Sequence, residues 1–141
     1  MTKDVLIKVR GVQRDEDGNE AVTETVVDGE YYEKGSSIYL FYEEHLEEES
    51  GTVKHIIKLK DDVLELTKKG VVNARMVFEQ GKTHVTDYAT PYGLVQLGVK
   101  TYRVSCLSEE DILEIRTKYA LTAGEEILSE SVICIRAEAM H

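Results

Sequence analysis

Proline is nearly missing from this chain: Pro91 is the only one in 141 residues, and there are ten glycines. Such sparse punctuation excludes a collagen-like or low-complexity Pro/Gly chain. Tryptophan is absent, and two phenylalanines stand against eight tyrosines. Cys106 and Cys134 are the only cysteines, too few for a disulfide framework and outside any CxxC pair, so both read as reduced thiols. No stretch approaches 18 apolar residues, and charge interrupts the first ten residues before an apolar run of signal-peptide length can form. These absences point to a cytoplasmic protein with no membrane partner. Cations are also scarce, 17 Lys and Arg against 27 Asp and Glu, for a net charge of −10. The summed field repels phosphate backbones, which argues against a nucleic-acid partner.

Chemical fingerprints are missing too. GxSxG, P-loop, Rossmann, HxH and HExxH patterns do not occur, so the sequence implies no catalytic residue, no cofactor and no metal site. His45 beside Glu43 and Glu44, and His84 near Asp87, read as surface histidines. Ser36, Ser37, Ser105 and Ser129 read as ordinary strand or turn serines.

What is present is a period of two that persists almost end to end. With 42% hydrophobic and 31% charged residues, the chain reads as one globular domain over 1–141. Val5, Ile7 and Val9 alternate with Leu6, Lys8 and Arg10; after the turn-forming 15–19 segment, Ala21, Thr23, Thr25 and Val27 share a face. Ile38, Leu40, Tyr42 and Glu44 then face one way, with Tyr39, Phe41 and Glu43 opposite. The acidic 46–51 segment reads as a hairpin tip. Inward sets follow at Val53, His55, Ile57 and Leu59, at Leu64, Leu66 and Lys68, and at Ala74, Met76 and Phe78. The segment from Met76 to Arg103 reads as three strands, turning at Gln80-Gly81-Lys82 and again at Pro91 to Gly93, with Leu97, Val99, Thr101 and Arg103 on one alternation.

Ser108 to Asp111 has the form of a helix capping box, but Leu113, Ile115, Thr117, Tyr119 and Leu121 alternate strictly and favour a strand. A last strand puts Ile127, Ser129, Ser131, Ile133, Ile135 and Ala137 on one face. Eight to ten antiparallel strands in an up-and-down meander would leave two long edges if the sheet stayed open. Closure with the first strand against the last removes them, so the expectation is an all-β barrel.

Several stretches carry a resemblance: Gly29-Glu30-Tyr31-Tyr32, Tyr42-Glu43-Glu44, Lys68-Lys69-Gly70, Phe78 with Gly81, and above all Tyr88-Ala89-Thr90-Pro91-Tyr92-Gly93 followed by Leu97, Val99 and Thr101. Together they resemble the YwiB-like family of uncharacterised bacterial proteins. The resemblance implies a calycin-like barrel, similar in architecture to lipocalins and fatty-acid-binding proteins, and carries over no biochemical role. Lys68 stands where members often have Arg, and Thr25 where a larger apolar residue is common.

Tight turns set a register that can be read in advance. Tyr42 falls opposite His55 and His55 opposite Lys68, one row across three strands on an otherwise apolar face, with Glu44 one step nearer the rim. An unpaired charge on an inward face loses solvation, so Glu44 and Lys68 must pair, reach water or meet a polar ligand. In the ligand reading, Lys68 anchors the anionic group of a small amphipathic molecule whose apolar body lies on Leu40, Ile57, Leu66, Met76 and Phe78. Arg103 is a second candidate anchor unless a β-bulge turns it outward. The candidate ligand-binding set is therefore Tyr42, Glu44, His55, Lys68 and Arg103.

The rival reading is a filled barrel that acts as an oligomerisation or interaction module. Tyr31, Tyr39, Phe41, Tyr92 and Tyr102 are expected to face outward or lie near turns, and amphipathic rings are enriched at interfaces. A homodimer through Tyr39 and Phe41 follows, unless a local loop or the N-terminal strand covers them. An enzyme at the mouth, with Tyr42, His55 and Lys68 in acid-base roles, is a third reading. An interior cavity of roughly 300 Å³ or more favours ligand binding, whereas filling by Met76, Phe78 and Tyr119 excludes it.

Overall fold

A computed structural model of the chain describes residues 2–46, 51–71, 73–90 and 93–140. The persistent alternation folds into ten antiparallel strands: β1 (Thr2–Asp15), β2 (Glu20–Lys34), β3 (Ser37–Leu46), β4 (Gly51–Lys60), β5 (Val63–Gly70), β6 (Ala74–Phe78), β7 (Thr83–Thr90), β8 (Gly93–Glu109), β9 (Ile112–Ala123) and β10 (Glu126–Ala139). No helix occurs among the described residues, and none there is long and apolar enough to cross a membrane. The capping-box segment at Ser108 to Asp111 is the end of β8 and a turn, as the alternation after it requires.

The strands form one sheet in the order β6-β5-β4-β3-β2-β1-β10-β9-β8-β7. Every chain neighbour except β6 and β7 is paired, and the first strand zips to the last from Val5↔Ala139 to Asp15↔Ser129. The seam lies between β6 and β7. There a bridge joins Asn73 and Ala89 through N–H···O bonds of 3.1 and 2.9 Å, and Thr86 Oγ1 donates to the Arg75 carbonyl. The result is a nearly closed barrel, in which these few bonds bring the two edge strands of the meander together.

Local chemistry sets the register. The β4–β5 connection is Asp61-Asp62, with φ of 51° and 63°, as a two-residue type I′ hairpin requires. Asp tolerates the left-handed region because its short polar side chain can bond locally. Gly29 sits where β3 passes close behind β2: a Cβ there would lie 2.5 Å from the Phe41 carbonyl oxygen and 2.4 Å from Ile7 Cδ1. The β2–β3 pairing is confined to Glu30–Lys34 against Ser37–Phe41, so residues 20–29 of β2 pair with β1 alone.

The core lies inside the barrel in cross-strand rows. Ile38, Leu59, Leu64 and Phe78 make one row and Leu40, Ile57, Leu66 and Met76 the next. Ile7, Leu40, Leu64 and Phe78 are 0% exposed, and Ile115 and Ile135 close the opposite wall. Two expectations are corrected by bulges. A register shift between Thr101 and Arg103 turns Arg103 outward, opposite exposed Lys118. Another between Ile127 and Ser129 leaves Ile127 42% exposed. Tyr31, expected to face outward or lie near a turn, instead packs against the core cluster on the alternation of Val27 and Gly29. Glu47 to Ser50, at the acidic hairpin tip, together with Val72, Pro91 and Tyr92, lies outside the described residues.

Candidate functional site

The anticipated row is present. Tyr42 pairs with His55 and His55 with Lys68, and the row continues to Ala74, while Glu44 pairs with Val53 one step towards the rim. It is the third rung after the two apolar rows, so the interior turns from greasy to polar at the end of the barrel where β3 finishes. Tyr42 and His55 stack at 4.4 Å with ring planes 4° apart. His55 Nε2 lies 3.1 Å from Glu44 Oε1; a carboxylate only accepts, so Nε2 carries the donated proton. The His55 side chain is 12% exposed and Glu44 42%, so the imidazole is inside and the carboxylate touches water.

The electrostatics follow from that placement. Burial pushes the Tyr42 phenol up to about 12, with the Glu44 carboxylate adding to the effect. Burial also lowers the pKa of His55, and the nearby Lys68 ammonium adds to this; the hydrogen bond donated to Glu44 opposes both without prevailing. A neutral imidazole donating to an ionised carboxylate is therefore the resting arrangement. A phenol held so far above neutrality is a poor base or nucleophile at physiological pH. The trio is better suited to hydrogen bonding than to proton transfer.

Of the five sequence-derived candidates, Tyr42, Glu44, His55 and Lys68 are brought together, and Arg103 is not. Arg103 lies on the outside of β8, separated from the cluster by the barrel wall. Among the proposed apolar contacts, Leu40, Ile57 and Phe78 are buried in the core, and Leu66 and Met76 pack partly against it. Phe78 and Tyr119 meet edge to face across the interior with centroids 4.8 Å apart. Both rings are buried, so the contact joins the β6 and β9 walls through the core. His45 bonds Thr52, and His84 Nε2 lies 3.0 Å from Glu79 Oε1. No group of three or more metal-ligating side chains comes together among the described residues.

One interior feature escaped the sequence reading. Thr101, Thr117, Ser129 and Ser131 are buried together with Tyr119 on the β8–β10 wall. Tyr119 shares a hydrogen bond with Ser131, while Thr101 Oγ1 and Ser129 Oγ have no partner among the described residues. Ser and Thr fit either face of a strand, so alternation alone gives no signal for this polar belt.

On the outside, Tyr32 pairs with Tyr39, and Phe41 with Ile56. Tyr32 and Tyr39 rings are 6.2 Å apart, Tyr39 and Phe41 stack at 6.0 Å and 6°, and the Lys58 ammonium lies 5.8 Å above Tyr39. All four apolar side chains are half-buried against one another, and no second layer of the described chain covers them.

Comparison with known proteins agrees with this architecture. The chain is 29% identical over 123 residues to the uncharacterized β-barrel protein YwiB of Bacillus subtilis, covering 86% of this chain and 84% of that one. The crystal structure of ywiB protein from Bacillus subtilis superposes with a TM-score of 0.88 at 24% identity, over 99% of this chain and 94% of the other. A family described as a domain of unknown function (DUF1934) matches residues 7–135. The chain thus belongs to the DUF1934, or YwiB-like, family.

Proposed function

We propose that this protein is a non-enzymatic interaction module: a filled barrel that self-associates through the aromatic stripe Tyr32, Tyr39, Phe41 and Ile56 on the outer face of β2 to β4. The observation that carries this reading is the buried Phe78–Tyr119 contact inside the barrel, which argues against a large central cargo site. The outer stripe supports it from the other side, because stacked aromatics on an uncovered sheet gain most when a second surface removes them from water. The calycin-like architecture that the family resemblance implies is compatible with a packed interior.

The test is the double substitution Tyr39→Glu with Phe41→Glu, followed by sedimentation. The wild type is expected as a dimer, and the variant as a monomer with an unchanged far-ultraviolet spectrum. A wild type that stays monomeric at high concentration refutes this reading.

The mouth supports a second reading. The Tyr42–His55–Lys68 row and the rim carboxylate of Glu44 form a polar collar above Leu66 and Met76, suited to the anionic end of a small amphipathic molecule seated shallowly. Titration with decanoate tests it: binding that Lys68→Ala weakens while the fold persists supports the collar as a site. Loss of folding in both Lys68→Ala and Glu44→Ala assigns those two residues to structure.

A further inference from the structure

On the face of the barrel away from the aromatic stripe, the pairing registers align five outward side chains in one row: Val22 of β2, Val12 of β1, Val132 of β10, Lys118 of β9 and Arg103 of β8. Val22 and Val132 are 50% and 42% exposed. The bulge after Thr101 creates the basic end of this row, because the extra residue places Tyr102 and Arg103 both outward. Its irregular backbone is held by two side chains, Thr117 Oγ1 donating to the Arg103 carbonyl at 3.1 Å and Gln80 Oε1 accepting from the Val104 N–H at 3.3 Å.

Two grooves adjoin along the row. One of about 350 Å³ is lined by Arg103, Ser105, Arg116, Lys118 and Val132, and one of about 240 Å³ by Val12, Arg14, Glu20, Glu130 and the same Lys118 and Val132.

The charges along this row are uneven. Arg10, Arg14 and Arg116 are engaged by Glu24, Glu20 and Glu114 at 3.2, 3.3 and 2.8 Å. Arg103 and Lys118 have no ion-pair partner among the described residues, and Glu130 is the remaining acid on the groove wall. In a chain of net charge −10, two adjacent unpaired cations at the end of a valine row are a local reversal of sign.

We propose that this surface docks an extended acidic segment of a partner protein, apolar at one end and carboxylate-bearing at the other. The row crosses four inter-strand steps, roughly 19 Å at about 4.8 Å each, which about six extended residues span. Apolar side chains lie over the valines and carboxylates over Lys118 and Arg103. A second copy of the chain is the alternative occupant, which the test below tells apart from an acidic segment.

The test uses a fluorescein-labelled peptide with three apolar residues followed by three glutamates, titrated by anisotropy into the Tyr39→Glu, Phe41→Glu double variant. That background keeps this docking surface distinct from self-association through the aromatic stripe. Binding is expected, weakened about fivefold by Arg103→Glu and again by Lys118→Glu, and largely abolished by high salt. The same peptide with lysines in place of glutamates is expected not to bind. Peptide binding that is absent, or unmoved by either charge reversal, overturns the proposal. Self-association of that background that Arg103→Glu dissolves also overturns it, assigning the surface to a second copy.

Discussion

Thr101 Oγ1 and Ser129 Oγ are buried without a partner among the described residues, and an unmade hydrogen bond in the interior costs more than the bond itself is worth. Thr101→Val keeps the shape and removes the polar atom, so it is expected to leave chemical-denaturation stability unchanged or raise it by up to about 1 kcal/mol. A clear loss would mean that the hydroxyl is satisfied in solution, for instance by buried water. Phe78 presents the opposite case: it is fully buried against Tyr119, and Phe78→Ala is expected to cost about 3–5 kcal/mol through lost contacts and the void left behind.

His55 carries the pH dependence. Its folded-state pKa lies below the ordinary 6.5, mainly because burial disfavours the imidazolium. The unfolded chain then binds the proton more readily, so the contribution from His55 is fully present above about pH 6.5 and declines as pH falls from there through the folded pKa. Denaturation midpoints measured from pH 7.5 to 5 should fall, and His55→Gln should flatten that fall. A slope unaltered by the substitution would place the titration elsewhere.

At the scale of elements, the turns explain what could be read ahead of the structure. The two-residue Asp61-Asp62 hairpin fixes the β4–β5 register, and with it the Tyr42, His55 and Lys68 row, because one slipped residue would send all three side chains to the other face. Bulges are the reason the rest was illegible. The extra residue at Tyr102 and that at Leu128 leave no mark in an alternating pattern rich in residues that suit either face, so Arg103 and Ile127 fell on the wrong side. Tyr31 was misplaced for a related reason: tyrosine fits both a core wall and an exterior stripe, and only the register through Gly29 decides.

Two substitutions test these elements by thermal melting. Asp62→Gly relieves a left-handed non-glycine residue and should stabilise by about 0.5–1 kcal/mol. Gly29→Ala forces a methyl against Ile7 and the Phe41 carbonyl, and should destabilise by about 1–3 kcal/mol.

For the molecule as a whole, ten strands close upon themselves around a packed interior, with β1 joined to β10 and a thin seam at β6 and β7. The polar row lies at one mouth, and the aromatic stripe Tyr32, Tyr39 and Phe41 lies on the outer face. The central claim is that the barrel is filled and acts through its exterior. Native mass spectrometry of gently purified protein tests it most directly: the account predicts a dimer with no mass beyond two polypeptides. A monomer, or a species carrying a copurified small molecule, would contradict it.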